Sequence, residues 1–373
     1  MTDGEAPKAE KTHRFPCTAC GADAEYVPRV GMKCPYCGHS SGVPQNEDQL
    51  ISESSYEEYL RAPRGPQGYG AAGARDISCK DCGASTRVSG EVASAACAYC
   101  GSPVVIEDGP DEGVVRPEAV LPFQVTKQLA LESFRTWVNG LWFAPNALKK
   151  LNETDRIFGV YRPYWTFDTA THSWYHGQRG EYYYVAESYT DTEIVNGQSR
   201  TVTKTREVRK TRWYPASGQV ASFFDDVLVP GGRPLGWSTD YNLDMLCPYD
   251  PGFLAGWQAE RYTVPPEKAW PVAKEEVDAG VYGLVCRDIG GDEQRVDSVR
   301  TSYNAIKFKH LLLPLYIASY FYMGKTYRFQ VNGASGAVNG ERPYSFWKIA
   351  ILVLVILGAI GILALIGALA GNK

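Results

Sequence analysis

Eight of the ten cysteines in this 373-residue chain fall into a repeated arithmetic. Cys17-x2-Cys20 is followed after 13 residues by Cys34-x2-Cys37, and Cys79-x2-Cys82 after 14 residues by Cys97-x2-Cys100. A CxxC turn aims two sulfurs at one point, and a second such turn across a short hairpin completes a tetrahedron around zinc, with Zn–S near about 2.3 Å. Gly21, Gly38, Gly83 and Gly101 follow the second cysteines and let backbone amides turn toward the thiolates. The spacing predicts two structural zinc ions per chain, because four thiolates leave no open coordination position for catalysis. Four disulfides would use the same residues but require an oxidising compartment. Redox CxxC motifs do not come as paired couples on short hairpins. Cys247 and Cys286 have no partner pattern and read as plain buried thiols, and His13 and His39 are superfluous to the first quartet.

The elements that must position these cysteines are two zinc ribbons, at residues 15–40 and 76–106. Residues 1–14 are polar and read as a disordered tail without a secretory signal. Between the ribbons, residues 41–75 combine an acidic stretch able to form a short helix with a Pro/Gly/Ala-rich linker, so the ribbons are expected to be separately mobile or weakly docked. Charge bears on their partners. Residues 1–113 carry 10 Lys+Arg against 17 Asp+Glu, and the remainder 28 against 25. A nucleic-acid-binding ribbon normally shows a basic excess to replace counterions. The acidic N-terminal region argues against nucleic acid and for protein binding, with a membrane-associated nucleic-acid-binding ribbon protein as the rival reading.

Residues 349–370 read IAILVLVILGAIGILALIGALA, with no charge among them. At about 1.5 Å per residue such a helix spans roughly 33 Å, enough for a bilayer's hydrocarbon core. Arg342 and Lys348 flank it, and Tyr344, Phe346 and Trp347 form an interfacial aromatic belt. With an anchor this near the end of the chain, the N-terminal bulk is expected in the cytoplasm, where thiols stay reduced and metal is favoured over disulfides. Gly367-x3-Gly371 and Ala364-x3-Ala368 permit close helix–helix approach and a homo-oligomer.

From 114 to 345 the pattern predicts an α+β domain with a large antiparallel sheet. Thr126 caps a helix with Ala130, Phe134, Trp137, Val138 and Leu141 at helical spacing, and Asn139-Gly140 stops it. A short helix is expected near Pro145, another over 266–288, strands dominate between, and Asn196-Gly197 signals a hairpin. One strand places Arg200, Lys204, Arg206, Lys210 and Arg212 on one face, with Val202 and Val208 between them. Such a face is either simply solvated or a basic surface for anionic lipid headgroups or an acidic partner segment, including the chain's own N-terminal half.

Enzymatic chemistry finds no support in the residues. Gly324-Lys325-Thr326 resembles the end of a Walker A motif, but Ser319 stands where its first glycine belongs and Tyr320–Met323 read as an apolar strand. His172 and His176 lie four apart without a third ligand, and Asp225-Asp226 reads as a turn cap.

The stretches LPFQVTKQLALESFRTWVNGLWFAP, YRPYWTFDTATHSWYHGQRGEYYYV, RWYPASGQVASFFDDVLVP and YRFQVNGASGAVNGERPYS resemble a family of bacterial zinc-ribbon membrane proteins. Such proteins are often labelled TFIIB-type zinc-ribbon or primosomal-helicase-like. The resemblance covers roughly residues 76–348 and implies a tail-anchored, non-enzymatic protein. It further implies a role in recruiting phage-shock or SPFH-type membrane-stress proteins to the bilayer, and only the cysteine positions transfer as functional residues.

Overall fold

The computed structural model describes residues 13–43, 50–62, 74–78, 85–89, 92–96, 103–105, 115–143, 157–195, 198–232, 240–322, 325–341 and 344–370. It opens with a three-stranded antiparallel sheet of β1 (Glu25–Val27), β2 (Gly31–Lys33) and β3 (Ser40–Ser41). β4 (Ser54–Ser55) runs into α1 (Tyr56–Arg61), where the Ser55 hydroxyl accepts from the Glu58 amide at 3.4 Å and caps the first turn. The acidic segment does form a helix, though of six residues only. The Pro/Gly-rich residues 63–73 lie outside the described residues.

β5 (Ala74–Ser78) pairs with β6 (Ser85–Ser89), and β7 (Val92–Ala96) with β8 (Pro103–Val105). β9 (Ala119–Val120) then leads to α2 (Lys127–Gly140), capped as expected by the Thr126 hydroxyl accepting from the Leu129 amide. Ala130 and Val138 of α2 are buried, and Phe134 stacks on Phe329 with ring centroids 3.7 Å apart. The helix expected near Pro145 lies outside the described residues.

The large sheet is built on β10 (Phe158–Val195), β11 (Gln198–Pro230) and, after the short β12 (Cys247–Pro248) and β13 (Gln258–Glu260) and the helix α3 (Pro266–Ile289), β14 (Glu293–Tyr322). β15 (Lys325–Asn332), β16 (Val338–Gly340) and α4 (Phe346–Ala370) complete the chain's described elements. The fold is α+β, and the sheet is mixed rather than purely antiparallel. Its long pairings are antiparallel, but β10–β13 and β14–β9 run parallel over two register pairs each.

α3 shows why it packs on this sheet. Ala269, Ala273, Val277, Val281, Val285 and Ile289 repeat every four residues and are all buried, giving one narrow stripe of small and β-branched side chains. The stripe lets the helix approach closely, and a Cβ on Gly280 would lie 2.4 Å from the Phe224 ring. Gly290, at φ 65, ends the helix in the conformation glycine tolerates best.

β10 pairs with β14 only as far as Gly180, which faces Glu293. Beyond it, residues 181–195 and 198–212 pair only with each other among the described residues, forming a two-stranded arm. The turn expected at Asn196-Gly197 lies outside the described residues, but Val195 pairs with Gln198 across it.

Candidate metal centre

Two tight turns bring the first quartet together. The Gly21 amide donates to the Cys17 carbonyl at 2.8 Å and the Gly38 amide to the Cys34 carbonyl at 3.0 Å, each closing a loop around its CxxC pair. Both glycines have positive φ, 77 and 74. Cys17 Sγ lies 3.6 Å from Cys37 Sγ, Cys20 Sγ lies 3.6 Å from Cys34 Sγ, and all four sulfurs fall within 4.8 Å of one another. A tetrahedron with metal–sulfur bonds of about 2.3 Å has edges of about 3.8 Å, so the four sulfurs fit a closed metal site. Backbone amides of Cys37 and Tyr36, together with hydrogen bonds from neighbouring thiols, hold the Cys34 thiol down to about 7, against a desolvation that opposes them. The Ala19 amide points at Cys17 Sγ from 3.4 Å. Such donors favour thiolate, the form that binds metal. His39 takes no part in the quartet, since its Nε2 meets the Thr18 hydroxyl at 3.1 Å.

The β1–β3 sheet beside the first quartet is held firmly, in place of the mobile or weakly docked attachment expected of it. Tyr26 is buried in the main core with Ala24 and Met32. Its amide donates to the Ala255 carbonyl at 2.9 Å, its hydroxyl to the Phe123 carbonyl at 3.3 Å, and its own carbonyl accepts from the Trp257 indole at 2.8 Å. The same turn holds β7: Ser94 Oγ lies 2.6 Å from the Trp257 carbonyl oxygen and 3.0 Å from that of Leu254. β7 also pairs with β13, so the chain between Cys82 and Cys97 joins the large sheet in part. The segment 254–257 therefore clamps both cysteine-bearing regions. Cys79, Cys82, Cys97 and Cys100 lie outside the described residues.

The basic strand is flanked by its own counter-charges. Lys204 Nζ stands 2.8 Å from Asp191 and 2.6 Å from Glu193, and Lys210 Nζ 2.7 Å from Glu187. Arg206 lies over the Tyr189 ring and Arg212 over the Tyr183 ring, with Arg200 in register with Glu193. All five basic residues do share one face, as alternation requires, and that face also carries the acidic side of the hairpin.

Asp225 and Asp226 sit at a β-bulge instead of a turn: both oppose Asp168, and Asp226 adopts φ 51. The three carboxylates lie within 4.8 Å of one another. Lys309 already answers their charge, with Nζ 2.8 Å from Asp226 and 3.3 Å from Glu53. Burial raises Asp168 to about 6. His172 and His176 share a sheet face, but His172 is engaged with Gln219 at 2.9 Å. Lys325 and Thr326 open β15, as the strand reading of that stretch requires. Cys247 and Cys286 are half-buried, less enclosed than expected.

α4 begins three residues before the predicted span, and it is long and apolar enough to cross a membrane, with the side chains of Phe346–Leu363 unburied. Its first turn is tied to the two residues that follow α2 and its cap. The Ser345 amide donates to the Phe143 carbonyl at 2.7 Å, and Lys348 Nζ to the Trp142 carbonyl at 3.2 Å. Neither this link nor the 254–257 clamp is visible in the sequence, where the partners stand far apart.

No family model matches the chain, and no solved structure matches it. It is similar to a Bacillus subtilis (strain 168) protein described as "Uncharacterized protein YdjG", with 23% identity over 239 residues, covering 64% of this chain and 67% of that protein.

Proposed function

We propose that this chain is a membrane-anchored zinc-ribbon scaffold, which holds protein partners at the cytoplasmic face of a bacterial membrane without catalysing a reaction of its own. The observation that carries the reading is a closed four-sulfur site fixed to a domain that runs directly into an exposed apolar helix. Four sulfurs leave a metal no coordination position for substrate, so its contribution is to hold a surface in shape. Zinc is the ion that this donor set favours in a reducing compartment. Cys79, Cys82, Cys97 and Cys100 repeat the spacing and bind a second zinc ion. Partners of the phage-shock or SPFH type, acting in membrane stress, follow from the family resemblance of the sequence, and small residues along α4 support self-association.

Photo-crosslinking from exposed ribbon position Tyr36 in native membranes tests the reading. Protein adducts that vanish when Cys17 and Cys20 are replaced support it. Adducts formed with nucleic acid alone overturn it in favour of a membrane-associated nucleic-acid-binding ribbon. Deleting residues 346–373 is expected to release the chain into the soluble fraction; retention on membranes would mean that another element is the tether.

A further inference from the structure

Trp142 lies two residues beyond the end of α2, some two hundred residues before the apolar helix, yet the structure places it beside that helix's first turn. Lys348 Nζ reaches the Trp142 carbonyl, and the Ser345 amide reaches the neighbouring Phe143 carbonyl. Two bonds from successive residues leave the 142–143 segment little freedom to drift from α4. The Trp142 side chain is 77% exposed, as solvent-facing as Phe346 at 76% and Trp347 at 75%. A bare indole costs free energy in water and is favoured where its ring meets lipid and its N–H meets the headgroup layer.

We infer that Trp142 is a second membrane contact, a tryptophan of the folded domain lying in the phospholipid headgroup layer at the level of Trp347. The occupant is the bilayer that α4 enters, because the segment is bonded to the turn where that helix begins. Lys348 bridges the two contacts and adds its charge where anionic headgroups gather. One helix alone leaves a domain free to rock about the chain that joins them. A second contact from a different part of the fold fixes which side of the domain faces the membrane. This inference rests on α4 spanning the bilayer, as proposed above.

The test uses the full chain in phosphatidylcholine/phosphatidylglycerol vesicles, with a benzophenone amino acid placed in turn at Trp142, Leu354 and Tyr36, and lipid adducts counted by mass spectrometry. All three side chains are exposed, so the substitution leaves the core intact. The expected result is lipid adducts at 354 and 142, several-fold above those at 36. Adducts at 354 with 142 no higher than 36 would overturn the inference and leave the membrane anchor standing. No adducts at 354 would overturn the anchor itself, and the inference with it.

Discussion

Trp257 donates its indole N–H to the carbonyl of Tyr26 at 2.8 Å, joining residues 231 positions apart. That bond sits where the β1–β3 sheet meets the segment 254–257. Replacing Trp257 with Phe leaves a buried carbonyl without its donor, at a cost of about 1–3 kcal/mol. Hydrogen exchange at residues 24–33 is expected to quicken while metal content stays unchanged. Unaltered exchange would show that the ribbon is held elsewhere.

Metal content gives the next expectation. The purified full chain should hold two zinc ions, Cys34→Ser should lose one, and Cys79→Ser should lose the other. Elemental analysis reads this directly, and a value near zero for protein purified from a reducing cytoplasm would end the ribbon interpretation.

Two buried groups predict opposing pH slopes. Glu118 accepts from the His310 amide at 2.6 Å and from the Ser54 hydroxyl, and burial raises it from 4.5 to about 7. The folded chain then keeps a proton that the unfolded chain releases, so stability falls as pH rises from 4.5 to 7. Burial lowers His310 from 6.5 to about 4, and the unfolded chain takes up a proton the folded one refuses, so stability falls as pH drops from 6.5 to 4. Glu118→Gln removes the first slope alone. Relative to wild type, the variant should gain about 2–3 kcal/mol at pH 8 over its standing at pH 5. Denaturant titrations at both pH values measure it, and an equal difference at both would refute the assignment.

The α3 stripe sets a steric limit. Ala273 is fully buried against the sheet. Ala273→Leu adds three carbons where the helix already lies close, and is expected to cost about 1–3 kcal/mol by thermal unfolding. Tyr282, exposed on the same helix, should accept Ala with little change.

Arm charges should matter little to stability. Lys204→Ala breaks two exposed ion pairs, each worth less than about 1 kcal/mol. The global unfolding midpoint is expected to hold, with only local exchange near residues 189–205 responding.

Several elements were legible in the sequence because their signals are local. Cysteine spacing, the Thr126 cap, the helix over 266–288 and the apolar C-terminal stretch all depend on residues within one or two turns. Strand length was not. Residues 160–177 and 180–195 each carry a strand signal of their own, yet both belong to β10. Gly177 and Gly180 look like turn signals, but a Cβ on Gly177 would lie 2.3 Å from the Arg295 carbonyl oxygen, so close approach of backbones is what glycine serves there. The bulge at Asp168 further breaks the alternation that marks a strand. Ribbon docking was invisible for another reason: it joins Tyr26 to Phe123, Ala255 and Trp257, and no pattern along the chain encodes such distant partners. The basic face was legible, but its neutralisation depends on reading Glu187, Asp191 and Glu193 across the hairpin.

An isolated two-stranded ribbon has no core to hold it straight, and is only marginally stable in water. Beyond Gly180 this one continues for 15 residues on its outgoing strand, roughly 50 Å at the rise of an extended chain. Its cross-strand mesh of lysine–carboxylate pairs and arginine–tyrosine contacts takes the place of a third strand. Interleaved charge also discourages edge-on sticking between copies. The geometric result is reach: the Val195–Gln198 pair stands several nanometres along the arm from the row where Gly180 faces Glu293, so whatever meets that end need not fit against the large sheet.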